Sequence, residues 1–298
     1  MKKSYMKYFA ALILFGSNGV VASNINLSSY EIVLLRSIIG SLMLALLFVF
    51  TRQRVTFLKH KKDLFFVALS GTSMGVCWMF MYEAYVQIGV SLTSLLYYTG
   101  PVIVMVLSPI IFKEKLTLNK IIGFIIVLIG VCFVNGNMIG AKGNDFGVMC
   151  GFIAAIMYAV TVIASKKSGK IVGMENAAIQ LVSSFVIVAI FIGIKGEFNM
   201  HIQSSDWIWV IILGVINTGF ACYLYFSSIG GLPVQTVAIC GYFEPLSAVL
   251  FSVVFLQETM LPMQILGGIM IISGAVFGEL IKDNKKCVYK NVEGLQFK

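Results

Sequence analysis

Residues 94–130 and residues 238–274 are two copies of one stretch. Slid over each other by 144 positions they need no gap: Tyr98 meets Tyr242, Pro101 meets Pro245, Ser108 meets Ser252, Glu114 meets Glu258, Gly123 meets Gly267 and Gly130 meets Gly274. Such self-similarity marks an internal duplication. Each copy reads as an apolar helix with a proline near its middle, an interfacial carboxylate, and a second apolar helix with two glycines seven residues apart on one face. The chain is thereby constrained to build two like halves.

The setting of those halves follows from how little charge the chain carries. Of its 298 residues 59% are apolar and 12% charged, and the mean hydropathy is +0.93. A water-facing surface needs far more charge, so the chain belongs in a bilayer. Ten apolar spans are predicted, at 5–22, 30–50, 64–86, 92–112, 118–136, 145–165, 174–194, 206–228, 235–256 and 262–281. Each is long enough to cross about 30 Å of hydrocarbon as a helix. The first imitates a secretory signal, with lysines, an apolar run and small residues at 20–23. A shift of 143, however, lays residues 9–22 over 152–165 in mid-chain, so it is read as a span. The same shift sets Asp63 on Asp206, Gly71 on Gly214 and Tyr82 on Tyr225. The duplication then covers five spans per half, giving a first repeat at 1–140, a second at 141–281 and a polar tail at 282–298. Five is odd, so the second half enters the membrane inverted relative to the first.

Loop charges give an independent reading. With the N-terminus cytoplasmic, nineteen of the 22 lysines and arginines fall on the inside, against Lys142 and Lys195 outside and Arg36 within a span. That bias places both termini in the cytoplasm. It also accounts for the net charge of +9, because cations in short runs between spans set topology and call for no nucleic acid. The six cysteines are scattered, without a C-x-x-C pair, and His60 and His201 are the sole histidines. No disulfide, metal or cofactor is expected, and no phosphate-cradling glycine loop occurs. The expected fold is an all-α polytopic membrane protein of ten transmembrane helices arranged as two inverted five-helix repeats.

Chemistry is expected where the paired prolines fall. A proline inside a helix removes a hydrogen bond and displaces the carbonyl four residues back, so Pro101 and Pro245 would free the carbonyls of Tyr97 and Gly241 near mid-membrane. Such groups are costly in hydrocarbon unless they face protein or a wet cavity, and paired interruptions in inverted halves point to a transport site. Glu244, next to Pro245, reads as a substrate-amine or proton site, or as a structural acceptor or partner of Arg36. Glu83 reads as a gate residue or an interfacial carboxylate, and Arg36 as a partner for an anionic group or a snorkelling anchor. Trp78, Tyr82 and Tyr85 share one face of a helix; Tyr97 and Tyr98 flank the first break, and Tyr242 sits at the second. With the amides Asn18 and Asn217 these are candidate walls of a binding cavity, although an aromatic stripe also serves as packing. Glu114 and Glu258 are expected to satisfy the N-terminus of the helix that follows each. The glycine pairs read as close-packing strips.

Two sets of five helices carrying "L-x-x-x-x-P … S-x-x-x-x-x-E" resemble the EamA-type branch of the drug/metabolite transporter superfamily. The resemblance rests on Leu96, Pro101, Ser108 and Glu114, then Cys240, Pro245, Ser252 and Glu258, together with Phe15 and Gly16, Arg36, Tyr82 and Ala84, and Glu244. Cys240 departs from the leucine of the pattern. The resemblance implies a secondary transporter of the inner membrane, typically proton-coupled or exchanging, with a cavity lined by helices 1–4 and 6–9 and helices 5 and 10 peripheral. The expected function is secondary active transport of a small polar or amphipathic metabolite, amino-acid or amine-like, in the export direction, by alternating access. The expected partners are the substrate, the lipid bilayer and a coupling proton, with the carrier a monomer or homodimer. A channel or lipid flippase is the alternative. An integral-membrane enzyme would need converging catalytic groups, and the two histidines sit in separate loops.

Overall fold

The computed structural model describes residues 2–51, 55–135, 144–195, 202–255, 257 and 261–280, and all of its regular elements are helical. In chain order they are α1 (Lys2–Gly16), α2 (Asn18–Ala22), α3 (Ser29–Phe50), α4 (Lys61–Tyr97), α5 (Thr99–Phe112), α6 (Leu118–Asn135), α7 (Asp145–Lys167) and α8 (Gly173–Lys195). They continue with α9 (Trp207–Ile211), a π-helical segment (Ile212–Phe220), α10 (Ala221–Ile229), α11 (Val234–Gly241), α12 (Phe243–Phe255) and α13 (Pro262–Leu280). Among the described residues seven helical runs are long and apolar enough to cross a membrane, and three shorter apolar helices cover 99–112, 118–133 and 265–278. Arg52, Arg54, Lys142, His201, Glu258 and the tail 282–298 lie outside the described residues.

Without water to receive backbone groups, an apolar chain must satisfy them within its own segments, and a helix does so. Its surface is the reverse of a soluble protein's. Leu42, Leu46, Val49 and Phe50 of α3 and Ile265, Leu266 and Ile269 of α13 face outward, while Ser70, Thr161, Asn176, Gln180 and Ser184 are buried. Those buried groups largely pair with one another and with the backbone between α4, α7 and α8: Ser70 Oγ donates to the carbonyl of Thr161 at 2.7 Å, and Gln180 Nε2 to Ser165 Oγ at 3.1 Å.

Three features depart from the sequence reading. The third and fourth spans, expected to be separated near residues 87–91, are covered by one helical element, α4, yet the chain doubles back within it: Ser70, Cys77 and Ile88 run antiparallel to α7, against Thr161, Ala154 and Gly147, whereas Leu96 and Tyr97 return along it, against Gly151 and Tyr158. The first span is broken at Ser17 without a proline, dividing α1 from α2. The eighth is not a plain α-helix, since nine of its residues are wound as a π-helix, a wider turn often found at functional sites.

The proline breaks fall at matching places. Pro101 is the third residue of α5 and Pro245 the third of α12, and the helices part at the preceding Tyr98 and Tyr242. Further on, Lys113 and Gln257, also 144 apart, are the described non-glycine residues with positive φ, both at 55°. Lys113 ends α5 in the left-handed conformation that commonly stops a helix.

Glycine seams set the packing. Gly123 of α6 lies opposite Gly274 of α13, and Gly130 opposite Gly267, so the two helices run antiparallel. A Cβ at Gly123 would stand 2.5 Å from the carbonyl oxygen of Gly274, and one at Gly274 would stand 2.7 Å from that of Gly123. Gly40 likewise brings α3 against Gly214 and Gly219 of the π segment. Gly123→Leu is expected to cost about 1–3 kcal/mol of stability through overpacking. A drop in the thermal midpoint of detergent-solubilised protein checks this, with Ile125→Leu on the outward face as the silent control.

Candidate substrate cavity

A cavity of about 510 Å³ lies inside the bundle. Its walls come from α1 and α2 (Leu12, Phe15, Asn18), α3 (Ser29, Arg36), α4 (Met74, Trp78, Met81, Tyr82, Tyr85, Tyr97), α7 (Tyr158, Thr161), α10 (Cys222, Tyr225, Phe226) and α12 (Glu244, Ala248), with Tyr98 at the first break. Among the described residues α6 and α13, the fifth and tenth spans, contribute no wall, in keeping with their expected peripheral place; α8, the seventh span, was expected to line the cavity and contributes none either. At one end the lining reaches the exposed Gly19 and Ser23, beside the α2–α3 connection. Beyond the other end the fully buried Tyr8 closes the bundle: its hydroxyl donates to the carbonyl of Val237 at 2.7 Å and its ring lies 5.5 Å from that of Tyr225.

Two opposite charges share this space. Arg36 is 3% exposed; its Nε donates to Thr218 Oγ1 at 3.0 Å, and its guanidinium carbon lies 4.5 Å from the centre of the Trp78 ring. Glu244 enters from the first turn of α12. Among the described residues the Glu244 carboxylate has no hydrogen-bond or ion-pair partner, Arg36 included. Unbridged opposite charges facing one aromatic-walled space suit a molecule that carries both signs.

The structure sorts the sequence candidates. Glu244, Arg36, Trp78, Tyr82, Tyr97, Tyr98 and Asn18 line the cavity, and Glu83, Tyr242 and Asn217 do not. Glu83 accepts from Gln87 Nε2 at 3.0 Å, and Gln87 in turn accepts from Asn144, the cap of α7. It therefore belongs to a polar chain between helices. Tyr242 is fully buried and its hydroxyl donates to the carbonyl of Tyr98 at 2.6 Å, so each proline break is in contact with the other. Asn217 Nδ2 donates to the carbonyl of Leu14 at 2.9 Å and to Ser17 Oγ at 2.7 Å, which serves the break between α1 and α2.

Glu114 satisfies a helix N-terminus, but not that of the helix that follows. Its two oxygens accept from the amides of Val234 at 2.8 Å and Gln235 at 3.2 Å, so it caps α11 in the other half of the chain. Tyr158, Thr161 and Tyr225 were not singled out from sequence. A signal was present for two of them, because the 143 shift makes Tyr158 the mate of Phe15 and Tyr225 the mate of Tyr82, and all four line the cavity.

Apolar helices around an aromatic-walled cavity that holds one carboxylate and one guanidinium define a polytopic membrane protein with an internal space. Comparison with known proteins takes this further. The EamA-like transporter family matches twice, at residues 2–136 and 145–278, and the chain belongs to that family. Among its relatives are three uncharacterized transporters of Bacillus subtilis. YxxF is 25% identical over 272 residues, covering 90% of this chain and 87% of the relative; YoaV is 26% identical, covering 80% and 83%; YetK is 26% identical, covering 97% and 90%. A crystal structure with 18% identity superposes with a TM-score of 0.80, covering 93% of this chain and 97% of that one, which concerns the fold alone. The chain is thus a multi-pass membrane protein of a transporter family.

Tyr242→Phe is expected to leave the Tyr98 carbonyl open in a dry setting, at a cost of about 1–3 kcal/mol. A lowered thermal midpoint, with cavity-facing side chains unchanged, is the outcome to look for.

Proposed function

We propose that the protein is a secondary active transporter of a small amphipathic metabolite bearing an amine, with zwitterions such as amino acids the best fit, working by alternating access in the inner membrane. The observation that carries this reading is Glu244, unpartnered among the described residues, standing two residues past the helix break at Tyr242 inside an aromatic-walled cavity. A carboxylate kept open in such a place offers an ammonium group, or a proton, the partner it lacks. Arg36 suits the other end of a zwitterion, and one inward cation is too few for a multiply charged anion.

The antiparallel α6–α13 seam and the matching breaks at Tyr98 and Tyr242 support two five-span halves inserted in opposite senses, ten spans in all, with residues 1–140 and 141–281 as the repeats. The cation bias of the loops supports cytoplasmic termini. On that topology the α2–α3 connection is external, so the cavity opens outward while the layer at Tyr8 seals the cytoplasmic side. Exported substrate then leaves from this outward-open state, and rocking of the halves that parts the Tyr8 layer admits the next molecule from the cytoplasm. The same rocking, driven by a proton taken up at Glu244, would couple transport to the proton gradient.

Glu244→Gln is expected to abolish transport while leaving the thermal midpoint within a few degrees. Counterflow of a panel of L-amino acids and primary amines in proteoliposomes checks it; undiminished exchange by the variant would remove Glu244 from the mechanism. Current with a fixed reversal potential and no trans-stimulation would favour a channel. In a cysteine-free background, Ser23→Cys is expected to react with an impermeant maleimide added outside intact cells, and protection from that side would overturn the outward opening.

A further inference from the structure

Arg36 has a more specific arrangement than a buried cation needs. Its guanidinium carries five N–H donors in a planar fork. One edge is occupied, since Nε donates to Thr218 Oγ1 at 3.0 Å. One face is occupied too, by the Trp78 ring at 4.5 Å. Among the described residues the two terminal nitrogens have no hydrogen-bond or ion-pair partner, although the residue as a whole is 3% exposed and lines the cavity. The fork is thus fixed on two sides and open along the edge that binds a carboxylate through two parallel hydrogen bonds.

Thr218 is itself held for this task. It is fully buried in the π segment, and its hydroxyl donates to the carbonyl of Leu213, five residues back, at 2.8 Å. A hydroxyl has one proton. With that proton spent on Leu213, the oxygen can meet Arg36 only as an acceptor, which is what Nε requires. The wide turn lets residue 218 pair five positions back, and the close approach of Gly40 to Gly214 and Gly219 brings α3 near enough for contact. The π turn therefore connects to the site through one hydrogen bond.

We propose that Thr218 and Trp78 are positioning residues that aim Arg36 as a bidentate carboxylate receptor, so that the carrier selects amines bearing a carboxylate over the same amines without one. This rests on the transport reading above and narrows its substrate class to amino monocarboxylates. Neither residue is required to touch the substrate carboxylate. Each acts through the orientation of the guanidinium.

Binding of matched pairs to the purified full-length protein tests this: L-leucine against isopentylamine, and L-phenylalanine against phenethylamine. Wild type is expected to favour the carboxylate member of a pair by tenfold or more. Thr218→Val, near-isosteric but without the acceptor, is expected to cut that preference by roughly tenfold or more, the scale of one well-aimed charged hydrogen bond. Affinity for the bare amine should stay put, and Thr218→Ser should restore the preference. Trp78→Leu, on a different helix, is expected to act in the same direction and serves if Thr218→Val folds poorly; Arg36→Lys should lose the preference outright. An unchanged preference in both Thr218→Val and Trp78→Leu overturns the proposal. Equal binding of both members by wild type, with loss of both in Glu244→Gln, would also overturn it and leave the amine-transport reading standing. Failure to bind any member of either pair would count against both.

Discussion

A backbone amide or carbonyl that leaves its helix inside a bilayer must find another partner, because no water is there to take it. This chain opens its helices at Ser17, Tyr98 and Tyr242, and it starts α11 in a partly buried setting. Partners arrive from the opposite half each time. Asn217 reaches the carbonyl of Leu14, Tyr242 that of Tyr98, and Tyr8 that of Val237, while Glu114 takes the first amides of α11. Each such bond spans more than a hundred residues of sequence. The breaks that make room for a cavity are thus also the points at which the halves are fastened together.

That arrangement explains how a polar site survives within an apolar bundle. The groups with their needs met, Tyr242, Asn217 and Glu83 among them, lie behind the walls and hold geometry. Glu244 and the outer edge of Arg36, left open, face the cavity, whereas the buried side chains of Ser184 and Gln235, without hydrogen-bond partners among the described residues, lie away from it. A side chain's distance from mid-membrane does not decide which kind it is. Tyr242 and Asn217 are claimed at the breaks of the other half, and Glu83 pairs with Gln87 along its own helix.

The duplication, the proline breaks, the apolar character of the spans and part of the cavity wall were legible in the sequence, since they rest on spacing and on the cost of charge in hydrocarbon. Glu244, Arg36, Trp78 and Tyr82 could be found that way. The cross-half bonds could not. Glu114 was expected to serve its neighbour in sequence, and its carboxylate instead crosses to α11, because which helix ends meet depends on how the halves dock. Asn217 and Tyr242 are polar or aromatic at depth like the true wall residues, and periodicity cannot separate the two roles. The π segment was likewise hidden: no single residue in 212–220 forbids an α-helix, and the bonds of Thr218 to Leu213 and Arg36 that accompany the widened turn depend on how α3 packs against it.

The α6–α13 seam carries a consequence for ancestry. Gly123 meets Gly274 while its counterpart Gly267 meets Gly130, so position i of one unit touches position j of the other and j touches i. That reciprocity is the signature of an isologous contact, the kind by which two identical subunits associate about a twofold axis. A free-standing protein of half this length, bearing both glycines, would already possess a surface complementary to itself. Joining two such genes end to end would then have tethered an existing antiparallel homodimer, after which the two cavity faces were free to diverge, one acquiring Glu244 and the other Arg36.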